Sequence, residues 1–168
     1  MTRQQLMISL TVLAALAALS LGTYEAVQMA TGARGIRNNN PGNIRLSSTK
    51  WQGQVAPAQQ TDSSFVQFSN AIYGIRALAK ILSNYASQYG LTTISGIISR
   101  WAPSSENDTS AYINAVSAQT GFPPDQSLDL TDPSVLANLT AAIITHENGS
   151  QPYGADTLAQ GVNLAINT

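Results

Sequence analysis

The sequence predicts a mainly α-helical protein with a small irregular β region near the start of its main domain and an N-terminal helix that crosses a membrane. Three observations lead to this fold class. An uncharged apolar run lies close to the N-terminus, and a turn-rich segment follows it. Beyond residue 70, apolar residues recur at helical spacing between capping residues.

The first segment, residues 1–30, is predicted to be a transmembrane anchor or a signal segment. Its apolar run, LMISLTVLAALAALSLG, carries no charge and is at the short end of the length that a spanning helix needs. The run is longer than a usual signal core, which favours an anchor, whereas the small residues Ser20 and Gly22 keep a cleaved signal peptide open. Arg3 favours a cytoplasmic N-terminus, so residues 31–168 are expected to work outside the cytoplasm or in a membrane-containing particle.

Composition limits what residues 31–168 can do. The 168-residue chain has 43% hydrophobic residues, enough for the core of one domain, and only 10% charged residues. Its surface must therefore be rich in Asn, Gln, Ser and Thr, which suits carbohydrate polymers better than nucleic acid because no basic stripe is present. The chain has no Cys and a single His, so thiolate nucleophiles and Cys-based or His-rich metal sites are excluded. No metal and no cofactor are predicted.

The irregular β region is predicted to follow a short linker. GIRNNNPGNIR, from Gly35 to Arg45, is dense in turn-forming residues. NIRL and FVQF, the latter from Phe65 to Phe68, are predicted to be short strands beside polar loops.

Helices account for most of the remaining chain. Gly90 and Gly121 are predicted to end two of them, Asp108 and Asp132 to cap the starts of two, and Pro133 fits the first position of a helix. The predicted helical segments are NAIYGIRALAKILSNYASQY, TTISGIISRWA, DTSAYINAVSAQTG, PSVLANLTAAIITHE and, more weakly, ADTLAQGVNLAIN. The fourth is apolar on most sides and is expected to be buried.

Glu147 is the acidic residue at which this buried helix ends. Apolar residues precede it within one and two turns, and Asn148-Gly149 then stops the helix. We expect the helix to carry Glu147 from the core to the edge of a cleft. Partial burial and the field of a helix C-terminus both favour the protonated carboxyl, which can donate its proton to a glycosidic oxygen. The alternative is a surface residue in a frayed last turn.

The segment LTAAIITHENGSQPY is similar to the catalytic helix of lysozyme-like lytic transglycosylases, in which an apolar helix ends in Glu-Ser and a Pro follows a few residues later. The resemblance implies that Glu147 is the general acid and base and that Pro152 matches the downstream Pro, while Asn148 stands where that family has Ser. In those enzymes the β region and helical lobe follow the Glu. Here they precede it, so a lysozyme-like α+β domain would be circularly permuted.

A wider pattern covers most of the main domain. RGIRNNNPGNIR, WQG, FVQF, GIRALAKIL, GLTTISGIISRWAPSSENDT, LDLTDP and HENGSQPY together resemble phage and prophage proteins described as virion-associated and muralytic, related to the lytic structural protein of enveloped double-stranded RNA bacteriophages. That resemblance implies peptidoglycan as substrate, with relatives that cleave glycan strands and others that cleave peptide cross-links. It also implies contact with other virion proteins, and a place in a virion membrane or on the bacterial inner membrane facing the periplasm.

Other site candidates each have a structural alternative. Glu106 is either a second catalytic carboxylate in the cleft or a loop acid that supports the start of the next helix. Asparagines offer a sugar both donors and acceptors but also tolerate turn geometry. Tyr153 is placed to pack on a sugar face. The predicted substrate-binding residues are Tyr153, Asn38, Asn40, Asn43 and Asn148.

We therefore expect a membrane-anchored enzyme that cleaves the β-1,4 link between N-acetylmuramic acid and N-acetylglucosamine in peptidoglycan. The alternatives are a murein cross-link endopeptidase and a non-catalytic virion protein that is structural or binds the wall. The sequence leaves open whether the glycan is hydrolysed or cleaved by transglycosylation, because the substrate's own hydroxyl can close the ring with a single Glu.

Overall fold

The structure, a computed structural model, describes residues 32–167. The predicted anchor or signal segment, residues 1–30, lies outside the described residues. In the described part the chain forms α1 (Arg34–Arg37), a 3-10 turn (Pro57–Gln59), α2 (Ala71–Tyr89), α3 (Ile94–Trp101), α4 (Thr109–Thr120), α5 (Pro133–Asn148) and α6 (Ala155–Ile166).

The fold class expected from the sequence is wrong. The residues from 32 to 167 contain helices and turns but no β-strand, so they do not form the expected lysozyme-like α+β domain. Where strands were predicted there are isolated antiparallel bridges, Arg45 with Phe65 and Gln54 with Phe68. The expected membrane-spanning helix also has no counterpart here, because no helix between residues 32 and 167 has the length and apolar character needed to cross a bilayer.

Side-chain amides explain why the predicted strands do not extend into a ladder. The fully buried Asn40 donates from Nδ2 to the carbonyls of Ile44 (2.9 Å) and Val66 (2.8 Å), and its Oδ1 accepts from the Ile44 amide (2.9 Å). Gln60 Nε2 likewise donates to the carbonyl of Phe65 at 2.8 Å. These bonds satisfy buried backbone groups that a strand would otherwise pair.

Asp62 ties the turn-rich segment, residues 38–70 between α1 and α2, to α1. Its carboxylate accepts two hydrogen bonds from the Arg34 guanidinium, at 2.6 and 2.7 Å, and one from Asn38 Nδ2 at 2.7 Å. The backbone amides of Ser64 and Phe65 donate to it at 2.9 and 3.0 Å. The hydrogen bond from Arg34, the largest cause, and those from Asn38 and the two amides hold the pKa of Asp62 well below its usual range.

The predicted helix ends are confirmed. α2 and α4 end at Gly90 and Gly121, which have φ values of 67° and 75°. The side chain of Asp108 accepts from a backbone amide in the first turn of α4, and that of Asp132 does the same for α5, where Pro133 is the first helical residue.

The core lies between α5 and the helices around it. Leu136, Leu139, Ile143 and Ile144 of α5 are completely buried, as its apolar sequence predicted. α2 and α6 pack closely, and a Cβ added at Gly161 of α6 would lie 2.5 Å from Ile75 of α2, so only glycine fits there. A smaller apolar cluster joins the turn-rich segment to α2; its buried members are Ile44, Val66, Phe68 and Ala77.

Candidate active site

A groove of about 420 Å³ runs between the turn-rich segment and the helices. One wall is formed by residues 42–45 and Phe65, and the other by α2, the end of α3 with the loop after it, and the end of α5. Its size falls within the range of ordinary small-ligand pockets. The lining residues are Gly42, Asn43, Ile44, Arg45, Phe65, Ile81, Tyr85, Trp101, Ala102, Glu106, Asn107 and Glu147.

Glu147 lies half-buried in this groove and accepts hydrogen bonds from three side chains. The indole N–H of Trp101 and the hydroxyl of Tyr112 donate to Oε1 at 3.0 and 2.9 Å. Asn43 Nδ2 donates to Oε2 at 3.1 Å. All three donors are uncharged, so the carboxyl is oriented without a cation beside it.

Each of these donors comes from a different element. Trp101 is the last residue of α3, Tyr112 lies in the first half of α4, and Asn43 is in the turn-rich segment with a φ of 49°. α5 ends immediately after Glu147, and Gly149 has a φ of 70°, a conformation that glycine adopts readily. The sequence therefore predicted correctly that this helix carries Glu147 from the core to a cleft.

The two oxygens of Glu147 are not equivalent. Oε1 accepts two hydrogen bonds and Oε2 accepts one, so Oε2 keeps spare capacity at the groove. Burial, followed by the charge of Glu147 and the hydrogen bond to it, raises the pKa of Tyr112 far above that of a free phenol. Tyr112 is consequently a neutral and constant donor to Oε1.

His146 packs against Tyr112, one of the donors to Glu147. Its ring stacks on that of Tyr112, with centroids 3.5 Å apart and planes at 17°. His146 and Glu147, neighbours at the end of α5, thus both contact Tyr112: His146 stacks on its ring, and Glu147 accepts a hydrogen bond from its hydroxyl. The stacking holds the Tyr112 ring in the position from which its hydroxyl reaches Oε1.

Glu106, the second predicted carboxylate, also lines the groove. It lies in the loop between α3 and α4, and its side chain is 63% exposed. Arg45 Nη2 lies 3.4 Å from Glu106 Oε2, and the Arg45 side chain is itself 75% exposed. Such an exposed pair contributes little to stability, so the structure brings both predicted acids to one groove without giving Glu106 a demanding structural role.

The predicted asparagines separate into two groups. Asn43 lines the groove and contacts Glu147, whereas Asn38, Asn40 and Asn148 do not line it. Asn38 donates to Asp62, Asn40 holds the turn-rich segment as described above, and Asn148 Nδ2 donates to the carbonyls of Pro41 (2.7 Å) and Ile144 (2.9 Å). Their amides are used by the protein itself, so these three residues stabilise the wall of the groove and are not placed to contact a sugar.

Tyr153 was expected to pack on a sugar, but it lies in the main core and is only 8% exposed. The chain turns at Gly149 and carries the ring inward, because an aromatic side chain gains more from burial than from water. The aromatic residues of the groove are Phe65, Tyr85 and Trp101 instead.

Two members of the site were not assigned to it from the sequence. These are Trp101, for which the sequence leaves open both packing on a sugar and burial in the core, and Tyr112, which has no predicted role. The sequence offers only one weak indication that Trp101 belongs to the site, which is that it ends a predicted helix just before the loop that carries Glu106. Within residues 32–167, no group of three or more acidic or histidine side chains is arranged to hold a metal ion.

The chain is 45% identical over 153 residues to Protein P5 of Pseudoalteromonas phage PM2, an alignment that covers 89% of this chain and 91% of that protein. No protein-family profile matches the chain. The likeness confirms the predicted relation to phage proteins. The name Protein P5 states no activity, so a muralytic family remains a prediction.

Proposed function

We propose that this chain, which belongs to the family of Protein P5 of phage PM2, is a glycan-cleaving enzyme that a phage particle brings to the peptidoglycan of its host. Its substrate is the β-1,4 link between N-acetylmuramic acid and N-acetylglucosamine. The observation that carries the proposal is Glu147, a carboxyl at the end of a buried helix that opens into a polar groove with one oxygen incompletely used.

The groove has the chemistry that a polysaccharide needs. Asn43, Arg45, Glu106 and Asn107 offer donors and acceptors to hydroxyl and acetamido groups, and aromatic rings provide faces on which sugar rings pack. The glycan backbone of the host peptidoglycan is uncharged and requires no basic surface, which agrees with the low charge of the chain.

Glu147 Oε2 is the atom that we assign to proton transfer. The protonated carboxyl gives its proton from Oε2 to the glycosidic oxygen as the C–O bond breaks, and the resulting carboxylate then takes a proton from the attacking hydroxyl. That hydroxyl belongs either to water or to the sugar itself. Trp101 and Tyr112 hold Oε1, so that the carboxyl keeps its orientation through both steps.

One observation favours a second candidate, a non-catalytic phage protein that is structural or binds the wall. The three donors to Glu147 come from three segments, so the carboxylate also joins α3, α4 and the turn-rich segment to α5. An ionised carboxylate accepts hydrogen bonds only, and three donors suit it well. In this candidate Glu147 is a connecting residue and the groove has no chemical step.

Clearing of purified murein by the full chain tests the two candidates. Glu147→Gln keeps an acceptor for Trp101 and Tyr112 but cannot transfer a proton, so we expect activity to fall by about 10²- to 10⁴-fold. Asp125→Asn, at an exposed aspartate that does not line the groove, is the control, and Glu106→Gln distinguishes a second catalytic acid from a loop residue. Thermal denaturation of each variant checks that it remains folded.

The proposal fails if the wild-type chain clears no murein, or if folded Glu147→Gln clears it as fast as wild type. Mass spectrometry of the soluble products then identifies the bond. Anhydro-muramyl ends indicate transglycosylation, and reducing muramyl ends indicate hydrolysis. New free amines would instead indicate the cross-link endopeptidase predicted as an alternative.

A further inference from the structure

A cation held on two aromatic rings lies beside the groove. Tyr85 and Tyr89 are one turn apart on α2, with ring centroids 6.4 Å apart and planes at 78°. The Arg100 guanidinium carbon of α3 lies 3.9 Å from the Tyr89 centroid and 5.2 Å from that of Tyr85. Burial raises the pKa of Tyr85, while the charge of Arg100 and a hydrogen bond from it oppose this effect.

Arg100 differs from the other arginines that contact aromatic rings. Arg34 is paired with Asp62 and Arg45 with Glu106, whereas no carboxylate of residues 32–167 lies within ion-pair distance of Arg100. A guanidinium placed over an aromatic ring keeps N–H groups that can bind a carboxylate in a fork.

The cluster is open to solvent. Arg100 is exposed, and Tyr89 is 53% exposed, an unusual position for a large aromatic ring on a surface that is otherwise rich in small polar residues. A half-exposed tyrosine with a cation over its ring offers a contact surface to a ligand that reaches the groove.

The cluster is also continuous with the groove. Tyr85 lines the groove and contacts Arg100, and Trp101, the residue after Arg100, lines the groove and binds Glu147. A polymer that lies against Tyr85 therefore has Arg100 within reach of its substituents.

We propose that Arg100, held on Tyr85 and Tyr89, binds a carboxylate of the short peptide attached to the murein chain whose glycan lies in the groove. This inference rests on the proposed function of the groove and adds the substrate feature that it recognises. The ligand is a peptide-bearing glycan, and murein whose peptide carboxylates have been converted to neutral amides lacks the group that Arg100 binds. Tyr89 is a positioning residue, because it acts on the ligand only by holding the Arg100 guanidinium in place.

Sedimentation with insoluble murein measures binding without requiring cleavage. The full chain carrying Glu147→Gln, which leaves the polymer intact, is titrated with peptide-bearing murein and with amidated murein, in which the peptide carboxylates have been converted to neutral amides. We expect Arg100→Gln to weaken binding to peptide-bearing murein by about fivefold and to leave binding to amidated murein unchanged. Arg37→Gln removes the same charge from α1, outside the groove, and serves as the matched control.

Further variants test how the guanidinium is held. Tyr89→Ala is expected to reproduce the loss seen with Arg100→Gln on peptide-bearing murein, and Tyr89→Phe, which keeps the ring, to restore binding. In the chain with Glu147 intact, Arg100→Gln is expected to raise KM for peptide-bearing murein without changing kcat.

The inference is overturned if Arg100→Gln binds peptide-bearing murein as well as its parent, if it loses equal affinity for both polymers, or if neither polymer is bound. Its failure is distinguishable from that of the proposed function. Binding can depend on Arg100 and the peptide even when no clearing occurs, and clearing can depend on Glu147 when Arg100 has no effect.

Discussion

Asp62 and Glu147 are two carboxylates whose surroundings differ in one decisive respect. Asp62 accepts five hydrogen bonds, two of them from the Arg34 cation, and its charge is matched within its own cluster. Glu147 accepts three hydrogen bonds, all from neutral donors, and lines an open groove.

The difference shows how the same functional group serves two purposes in one chain. Around Asp62 every contact is internal, so the residue holds the turn-rich segment to α1 and has no capacity left for a ligand. Around Glu147 the donors fix the orientation of the carboxyl and leave Oε2 partly free at the groove. A carboxyl that neutral donors orient, with no cation bound to it, suits the proton transfer that we propose.

The largest expected effect on folding comes from Asp62→Asn. The variant loses the ion pair with Arg34 and weakens the remaining bonds, so the free energy of unfolding should fall by about 2–3 kcal/mol in urea denaturation. Under the proposed function, the folded fraction should clear murein as fast as wild type, the reverse of Glu147→Gln. Asp125→Asn, at an exposed aspartate, should change stability by less than about 0.5 kcal/mol. If Asp62→Asn lost as little stability as Asp125→Asn, Asp62 would not be the structural carboxylate that its contrast with Glu147 requires.

Acid should reveal the same contribution with a definite sign. Because the folded state holds the pKa of Asp62 below its usual range, the stabilisation is present above the unfolded value of about 4 and is lost as the pH falls through the native one. The stability difference between wild type and Asp62→Asn should therefore be greatest above about pH 5 and shrink toward pH 2. A difference that stays constant over this range would show that ionisation of Asp62 contributes nothing.

The smallest expected effect comes from Tyr112→Phe. This variant keeps the ring against His146 but removes one of the two donors to Glu147 Oε1, so that Trp101 is the remaining donor to that atom. We expect a loss of about 1 kcal/mol in unfolding free energy and about a tenfold drop in kcat. Tyr89→Phe should leave stability within about 0.5 kcal/mol, because that ring is exposed. An unchanged kcat for Tyr112→Phe would mean that the Trp101 donor alone is enough to orient Oε1.

The helices and their ends could be predicted from the sequence because the signals are local. Asp132 and Pro133 begin α5, and Gly149 ends it, through contacts within one turn. The position of Glu147 followed from the apolar residues before it. The strands were mispredicted because their backbone groups bond to Asn40 and Gln60 side chains, which no alternation of apolar residues shows.

The sequence by itself determined the helical segments, their caps, the low charge and the emergence of one glutamate at the end of a buried helix, since each depends on neighbouring residues or on composition. Only the tertiary structure decided that Trp101, Tyr112 and Asn43 meet at that glutamate, that Tyr153 enters the core and that Asn40 closes a turn. These outcomes depend on which distant segments pack together: Asn43 and the Glu147 carboxyl that it contacts are 104 positions apart in the sequence.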